Sequence, residues 1–420
     1  MLDIKFIREN PDLIKEAVRK KKLNFNVDEL MTLEVRRSEL QLAVENMRAE
    51  QNNFTEMIAR ATDAVERTAM IDQMRTFKEA LAKKEEELKG IMEKWREYML
   101  LVPNVPDVTV PDGESDDDNV EVRRVGEIPT FDFTPRDHVE LLLKNDMADF
   151  ERGVKVAGFR GYFLKNDGAM LDYAVWMYTL EQLTKKGFSP MIVPSMVRRE
   201  AFMGTGYLPQ SEDDLYKTQD GEYLAGTGEV AMMGYHMDEV LDIAELPKKY
   251  IAFSPCFRRE IGAHGKDTKG LIRVHEFMKF EQVVLCEANH ETSVAIHEEI
   301  TKNAEDILTA LGLPYHVVVN CGGDLGLGQV KKYDIEAWVP SEEKYRETHS
   351  ASYFHDFQTR RLNTRYRDVD GKMRFAHSLN NTAIATPRIL VSIVENYQNA
   401  DGTIRVPDVL QKFMGKTVMG

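Results

Sequence analysis

From residue 28 to residue 99 the chain has no proline and one glycine, Gly90, so little in that stretch stops a helix. Leu33, Leu40, Met47 and Phe54 recur every seven residues, and Arg37, Val44, Gln51 and Ile58 follow each of them by four. After a break near Ala61–Thr68 a second set begins with Met74, Leu81, Leu88 and Trp95, joined three positions on by Phe77, Lys84, Ile91 and Tyr98. Heptad spacing of this kind marks helices that pack along a seam. Two such helices joined by a short break predict an antiparallel coiled-coil hairpin, with arms of about 30 residues reaching about 45 Å. Arg37, Gln51 and Lys84 interrupt the seams, so the core between the arms is thin. A long arm with a thin core projects toward a partner or a ligand. A dimerisation coiled coil without a ligand has the same composition.

The 420 residues suggest two or three domains at about 100–200 residues each. A hydrophobic content of 43% excludes wholesale disorder. No apolar run approaches the ~20 residues of a membrane span. The start, MLDIKFIRENPDLIKEAVRKKK, has neither the apolar stretch of a secretory signal nor the acid-poor bias of a transit peptide. Cys256, Cys286 and Cys321 are far apart and form no zinc pattern. These features describe an acidic, soluble, cytoplasmic protein without a disulfide framework. The net charge of −15 repels nucleic acid at long range but leaves room for a local basic surface. Residues 1–27 predict a short helix with Ile7, Leu13, Ile14, Ala17 and Val18 on one face, and Lys20, Lys21 and Lys22 read as its solvated end in preference to a contact for phosphates. Residues 102–119, with three prolines and a dense acidic run, read as an extended linker. The organisation expected is a helical domain over 1–101, the linker, and a second domain over 120–420.

In that second domain the expected strands are Met191–Val193, Tyr250–Ser254, Lys279–Leu285, His316–Val319, Lys332–Val339 and Arg374–Ala376, and the expected helices Ala169–Lys186, Ser293–Leu311 and Thr386–Asn399. Clustered strands without even βα repeats predict an α+β fold, a mostly antiparallel sheet flanked by helices. Neither a dinucleotide-binding glycine fingerprint nor a P-loop is present.

The densest chemistry lies in Ser254-Pro255-Cys256-Phe257-Arg258-Arg259-Glu260, then Gly265-Lys266-Asp267-Thr268-Lys269-Gly270-Leu271-Ile272-Arg273-Val274-His275-Glu276-Phe277, and on to Glu281. The outline is strand, polar loop, strand. Arginines at both rims suit phosphate oxygens, and an aromatic opposite an arginine suits a purine ring. A charged hairpin with no ligand has the same outline. His377–Arg388 ends in Pro387-Arg388 before an apolar run, which puts Arg388 near a helix N-terminus, poised for a phosphate or a structural carboxylate. Thr227 and Glu229, two apart, suit an ammonium, or a plain helix cap. Glu347 and Ser350 in Arg346-Glu347-Thr348-His349-Ser350 offer oxygens suited to Mg²⁺, or an exposed strand end.

Taken together these segments resemble the seryl-tRNA synthetases of the common bacterial and eukaryotic type, within the class II aminoacyl-tRNA synthetases. The resemblance runs from MLDIKFIRENPDLIKEA to VPDVLQKFMG, and the three class II motifs occur in order: Gly187–Pro194, Phe257–Glu260 with its loop, and the stretch through Arg388. It implies an ATP-dependent serine–tRNA ligase with Arg258, Glu281 and Arg388 as its central residues. It implies that Arg258 contacts the α-phosphate and the serine carboxylate, that Glu260 lies near the adenine amino group, and that Phe277 and Arg388 flank adenine. Arg259, Arg273, Val274, Thr348 and His349 complete the implied ATP set. Glu347 and Ser350 would meet Mg²⁺, with no zinc. Thr227, Gly228 and Glu229 would hold the serine ammonium, and Glu281, Asn380 and Thr382 would read its side chain. The implied partners are L-serine, ATP, serine tRNA through the 1–101 domain, selenocysteine tRNA where present, and a second copy of the chain in a homodimer. This sequence departs from the family in three places: Thr227-Gly228-Glu229 for the usual Thr-Ala-Glu, Asn380-Asn381-Thr382 for Asn-Gly-Ser, and Gly322 where threonine is common.

Overall fold

The computed structural model describes residues 1–261, 265 and 267–420, so Lys266 of the motif loop lies outside the described residues. The chain divides into two compact units, residues 2–19 with 23–103, and residues 20–22 with 104–420 and Met1.

The first unit is helical. Helices α1 (Ile4–Glu9) and α2 (Pro11–Lys20) precede two long helices, α3 (Val27–Arg60) and α4 (Ala64–Leu101). Their 34 and 38 residues extend roughly 51 and 57 Å at the helical rise. Residues 61–63 alone separate them, a shorter break than the sequence suggests. Asp63 is the reason: its carboxylate accepts from the Val65 and Glu66 N–H groups at 2.9 and 2.8 Å and starts α4 at once. The helices run antiparallel, with Arg48 paired to Glu85 at 2.7 Å and Phe54 stacked on Phe77 at 6.3 Å. Every seam position named above is buried or half-buried. Arg37 enters its seam satisfied, bonded to Glu34 at 2.8 Å and lying 5.1 Å from the Trp95 ring.

The second unit is built on eight strands. They are β1 (Val120–Val125), β2 (Ser189–Ile192), β3 (Lys248–Phe257), β4 (Glu276–Cys286), β5 (Tyr315–Val319), β6 (Lys331–Val339), β7 (Lys344–His355) and β8 (His377–Thr386), in the order β1-β5-β6-β7-β8-β4-β3-β2. All neighbours pair antiparallel except β2, which lies parallel to β3 at the edge. Three helices, α5 (Asp167–Lys185), α6 (His290–Ala310) and α7 (Arg388–Asn396), pack apolar faces on the sheet through Leu171, Val175, Ile300, Ile307, Ile389 and Ile393. Each such side chain contributes about 1.5–3 kcal/mol by leaving water. α7 begins at Arg388, two residues later than the sequence suggests, because β8 runs through Thr386 and Pro387 caps the helix.

One expectation is overturned in this unit. Lys21 is not part of a solvated helix end. It is 3% exposed, and its ammonium donates to the carbonyls of Gly326, Leu327 and Gln329 at 2.9, 2.9 and 2.6 Å. Three carbonyl acceptors make such burial tolerable, although the burial still holds the ammonium well below its ordinary pKa. Among the described residues no helix is long and apolar enough to cross a membrane, and the three cysteines are buried free thiols.

Candidate active site

Four adjacent strands, β7, β8, β4 and β3, open on one face into a cavity of about 340 Å³. Thr227, Glu229, Arg258, Glu260, Arg273, Val274, Phe277, Glu281, Glu347, Thr348, Ser350, Asn380, Thr382 and Arg388 all line it. Residues more than 150 positions apart in sequence thus meet in one space. Three of the sequence candidates lie off its wall. Gly228 is buried at the first turn of the helix Gly228–Tyr235, Arg259 donates to the Asp213 carbonyl at 2.7 Å, and His349 is buried between Thr348 Oγ1 and the Ala383 carbonyl. Burial pushes the His349 ring down to about 4, which keeps it neutral at pH 7.

Strand irregularities set the aim of the lining. On β8 the register against β4 skips between Phe280 and Glu281, which places Glu281 directly opposite Thr382. On β7 a bulge opposite Ile335 and Glu336 lets Glu347, Thr348 and Ser350 all reach the cavity, where strict alternation would turn one of them away.

One end of the cavity is a small, buried, polar pocket. Thr227 caps the helix Gly228–Tyr235, its Oγ1 accepting from the Glu229 N–H at 3.2 Å, so the cap and the pocket wall are the same residue. Glu229 accepts from Gln358 Nε2 at 2.6 Å and from the Tyr207 hydroxyl at 3.1 Å. Burial, with a further push from the nearby Glu281, drives the Glu229 carboxyl up to about 7. Lys279 forms an ion pair with Glu281 and donates to Thr227 Oγ1 at 2.9 Å. A carboxylate pair with a neighbouring hydroxyl recognises an ammonium and a hydroxyl at short range.

The other end is cationic. The Arg258 guanidinium lies 5.1 Å from the centre of the Phe277 ring. Arg388 donates to the Ile272 carbonyl at 3.0 Å and the Glu347 carbonyl at 2.7 Å, and burial pulls it below its ordinary pKa. Arg273 donates to Glu260 at 2.7 Å. Three guanidinium groups and an aromatic face suit a polyphosphate and a flat base.

The sequence reading missed Lys279, Tyr207 and Gln358. Lys279 left a signal, a lysine two residues from Glu281 inside an apolar strand; Tyr207 and Gln358 left none, because their partner Glu229 is distant in sequence.

Residues 1–106 match the seryl-tRNA synthetase N-terminal domain, and residues 214–397 match the tRNA synthetase class II core domain (G, H, P, S and T). The chain is 47% identical to the serine–tRNA ligase of Deinococcus radiodurans, over 100% of this chain and 99% of that one. The seryl-tRNA synthetase of Pyrococcus horikoshii, solved with ATP, superposes with a TM-score of 0.93 at 40% identity, covering 100% of this chain and 99% of that one. The cytoplasmic serine–tRNA ligase of Naegleria fowleri, solved with AMP, gives 0.88 at 31% identity, covering 100% and 98%.

Proposed function

The chain belongs to the seryl-tRNA synthetase family of class II ligases, and from that membership we propose that it activates L-serine with ATP and passes the serine to tRNA in the cavity described above. The observation that carries the proposal is the continuity of that cavity: an acidic, hydroxyl-lined pocket opens directly onto the arginine and aromatic surface.

In the first step a serine carboxylate oxygen attacks the α-phosphorus of ATP. An O–P bond forms, pyrophosphate leaves with the electron pair, and seryl-adenylate remains. In the second step a terminal hydroxyl of the tRNA attacks the serine carbonyl, loses its proton, and AMP leaves. Neither step needs a covalent bond to the protein, so positioning and charge stabilisation do the work. Arg258 holds the serine carboxylate beside the α-phosphate. Arg388 and Arg273 take charge from the phosphate oxygens, Phe277 packs on adenine, and Glu260 accepts from its amino group. Thr227 and Glu229 take the ammonium, while Glu281, Asn380 and Thr382 read the hydroxyl. Alanine would leave Glu281 or Thr382 unpaired, and threonine would overfill the pocket.

Mg²⁺ fits beside this set. Glu347 and Ser350 are oxygen donors, and Asp334, in register with Ser350, is buried with an Oδ1 that has no hydrogen-bond partner. A hard cation takes a few such oxygens and fills its shell with phosphate and water. It would neutralise phosphate charge there.

The 1–101 domain binds serine tRNA through its hairpin, and selenocysteine tRNA in hosts that make it. The edge strand β2 leaves Ile192 88% exposed, and an apolar residue on an open edge is suited to burial against a second copy. The enzyme acts as a homodimer in the cytoplasm. Charging of purified serine tRNA with labelled serine, threonine and alanine tests the reading. Serine-only charging supports it. Serine-dependent ATP–pyrophosphate exchange without charging would move the acceptor from tRNA to a carrier protein.

A further inference from the structure

Lys279 is a costly residue for a sheet core. It is 6% exposed on β4, between Met278 and Phe280, in a strand whose last four residues are all apolar. A buried ammonium persists only where it is paired and hydrogen-bonded. Both conditions are met inside the amino-acid pocket. Lys279 pairs with Glu281, two residues on and on the same strand face, and bonds to Thr227 Oγ1, which itself donates to Glu281 Oε2 at 3.3 Å. With the Glu229 N–H also donating to it, Thr227 Oγ1 has both lone pairs and its proton committed, so its rotor is fixed.

We propose that Lys279 is a positioning residue that determines specificity in this pocket: it orients Glu281 for serine, holds Thr227 in place until serine enters, and balances the pocket so that it admits one further cation, the substrate ammonium. The inference rests on the reading of Thr227, Glu229 and Glu281 as the serine pocket.

The charges facing Lys279 support the count. Glu229 comes from the helix Gly228–Tyr235, Glu281 from β4 itself, Cys256 from β3 and Arg258 from the position just after it, with Tyr207 behind Glu229. β8 brings the uncharged Asn380 and Thr382. The Cys256 thiol is held neutral by burial, and Arg258 is the partner for the substrate carboxylate. Two carboxylates against one ammonium leave a single negative charge for serine to neutralise. In the empty pocket Lys279 also occupies a lone pair of Thr227 that the serine ammonium needs. Serine entry trades that bond, while Lys279 stays on Glu281. Without Lys279 the Glu229 carboxyl would keep its proton to higher pH beside Glu281, and serine would have to displace that proton to bind.

The test compares Lys279→Met, Lys279→Gln, Lys279→Arg, Glu281→Gln and the double variant Lys279→Met/Glu281→Gln by ATP–pyrophosphate exchange across pH. Thermal unfolding identifies the folded variants, and Lys279→Gln keeps the test alive if Lys279→Met does not fold. Loss of the charge is expected to raise the serine KM about tenfold or more and leave the ATP KM within about twofold. The pH at which serine kcat/KM rises should also move up, because Lys279 lowers the Glu229 carboxyl from across the pocket. Lys279→Arg should keep that pH unchanged. Glu281→Gln should cost much less in the Lys279→Met background than alone. A wild-type serine KM and pH profile in both Lys279→Met and Lys279→Gln, or equal rises in the serine and ATP KM, would overturn the proposal. Normal serine kinetics in Glu281→Gln would instead overturn the pocket reading on which it stands.

Discussion

Serine capture should switch on with pH through the ionisation of Glu229. Its carboxyl is pushed to about 7, by burial first and then by Glu281, against the opposing Gln358 bond, Lys279 charge and Tyr207 bond. An ordinary glutamate titrates near 4.3, so ionising this one in the empty pocket costs about 3–4 kcal/mol more at ~1.4 kcal/mol per unit. The sign follows from linkage. The folded pKa is raised, so the unfolded carboxyl ionises first. The folded state loses stability as pH climbs from about 4.3 to about 7, and the loss is constant above that. A substrate ammonium offsets the cost, so serine binds the ionised form. Below pH 7 the proton must leave first, and kcat/KM for serine should fall about tenfold per pH unit. At pH 7 serine binding should release about half a proton, measurable by calorimetry in buffers of different ionisation enthalpy. The assay is ATP–pyrophosphate exchange at saturating ATP, with Glu229→Gln as the control that loses affinity and this pH limb together. A flat serine profile from about pH 5.5 to 8, with no proton release, would show that Glu229 does not govern serine capture.

Three other outcomes are expected. Arg258→Ala and Arg388→Ala should each cut adenylate formation by roughly 10²-fold or more in exchange assays. Arg388→Ala should also lose about 1–3 kcal/mol in denaturant unfolding, because two carbonyls lose their donor. Gly228→Ala should change stability by no more than about 1 kcal/mol and the serine KM by less than about twofold. A methyl there would lie 3.2 Å from Ser254 Oγ and 3.4 Å from Ala252 Cβ, a tight but usable space. Deleting residues 28–98 should spare exchange activity and cripple tRNA charging; equal loss of both would contradict separate roles for the two units.

What the sequence revealed depended on repetition. The seams of α3 and α4 were legible because a heptad pattern repeats over many turns, and every seam position is at least half-buried. The end of the break was not, because it turns on one capping aspartate, Asp63. β8 is absent from the expected strands, and of β7 only a polar strand end around residues 346–350 is expected. Residues such as Thr348, Ser350, Asn380, Asn381 and Thr382 break the apolar alternation that marks a strand, and several do so because they line the cavity. The candidate residues that meet there were mostly found, through the resemblance and their chemical types. Lys21 is misread because its partners, the carbonyls of Gly326, Leu327 and Gln329, lie distant in sequence, whereas Lys279 has its ion-pair partner Glu281 two residues away and only Thr227 far off.

If one cavity holds serine and ATP together, a compound that joins the two should occupy both ends of it at once. Calorimetric titration of a non-hydrolysable sulfamoyl analogue of seryl-adenylate, beside its alanyl and threonyl counterparts, tests this most directly. The seryl compound should bind at least about 10²-fold more tightly than serine or ATP alone, the other two far more weakly, and Glu281→Gln should erase most of the difference between seryl and alanyl. Equal affinity for the three analogues, or additive binding of the seryl analogue with ATP at separate sites, would contradict a shared cavity.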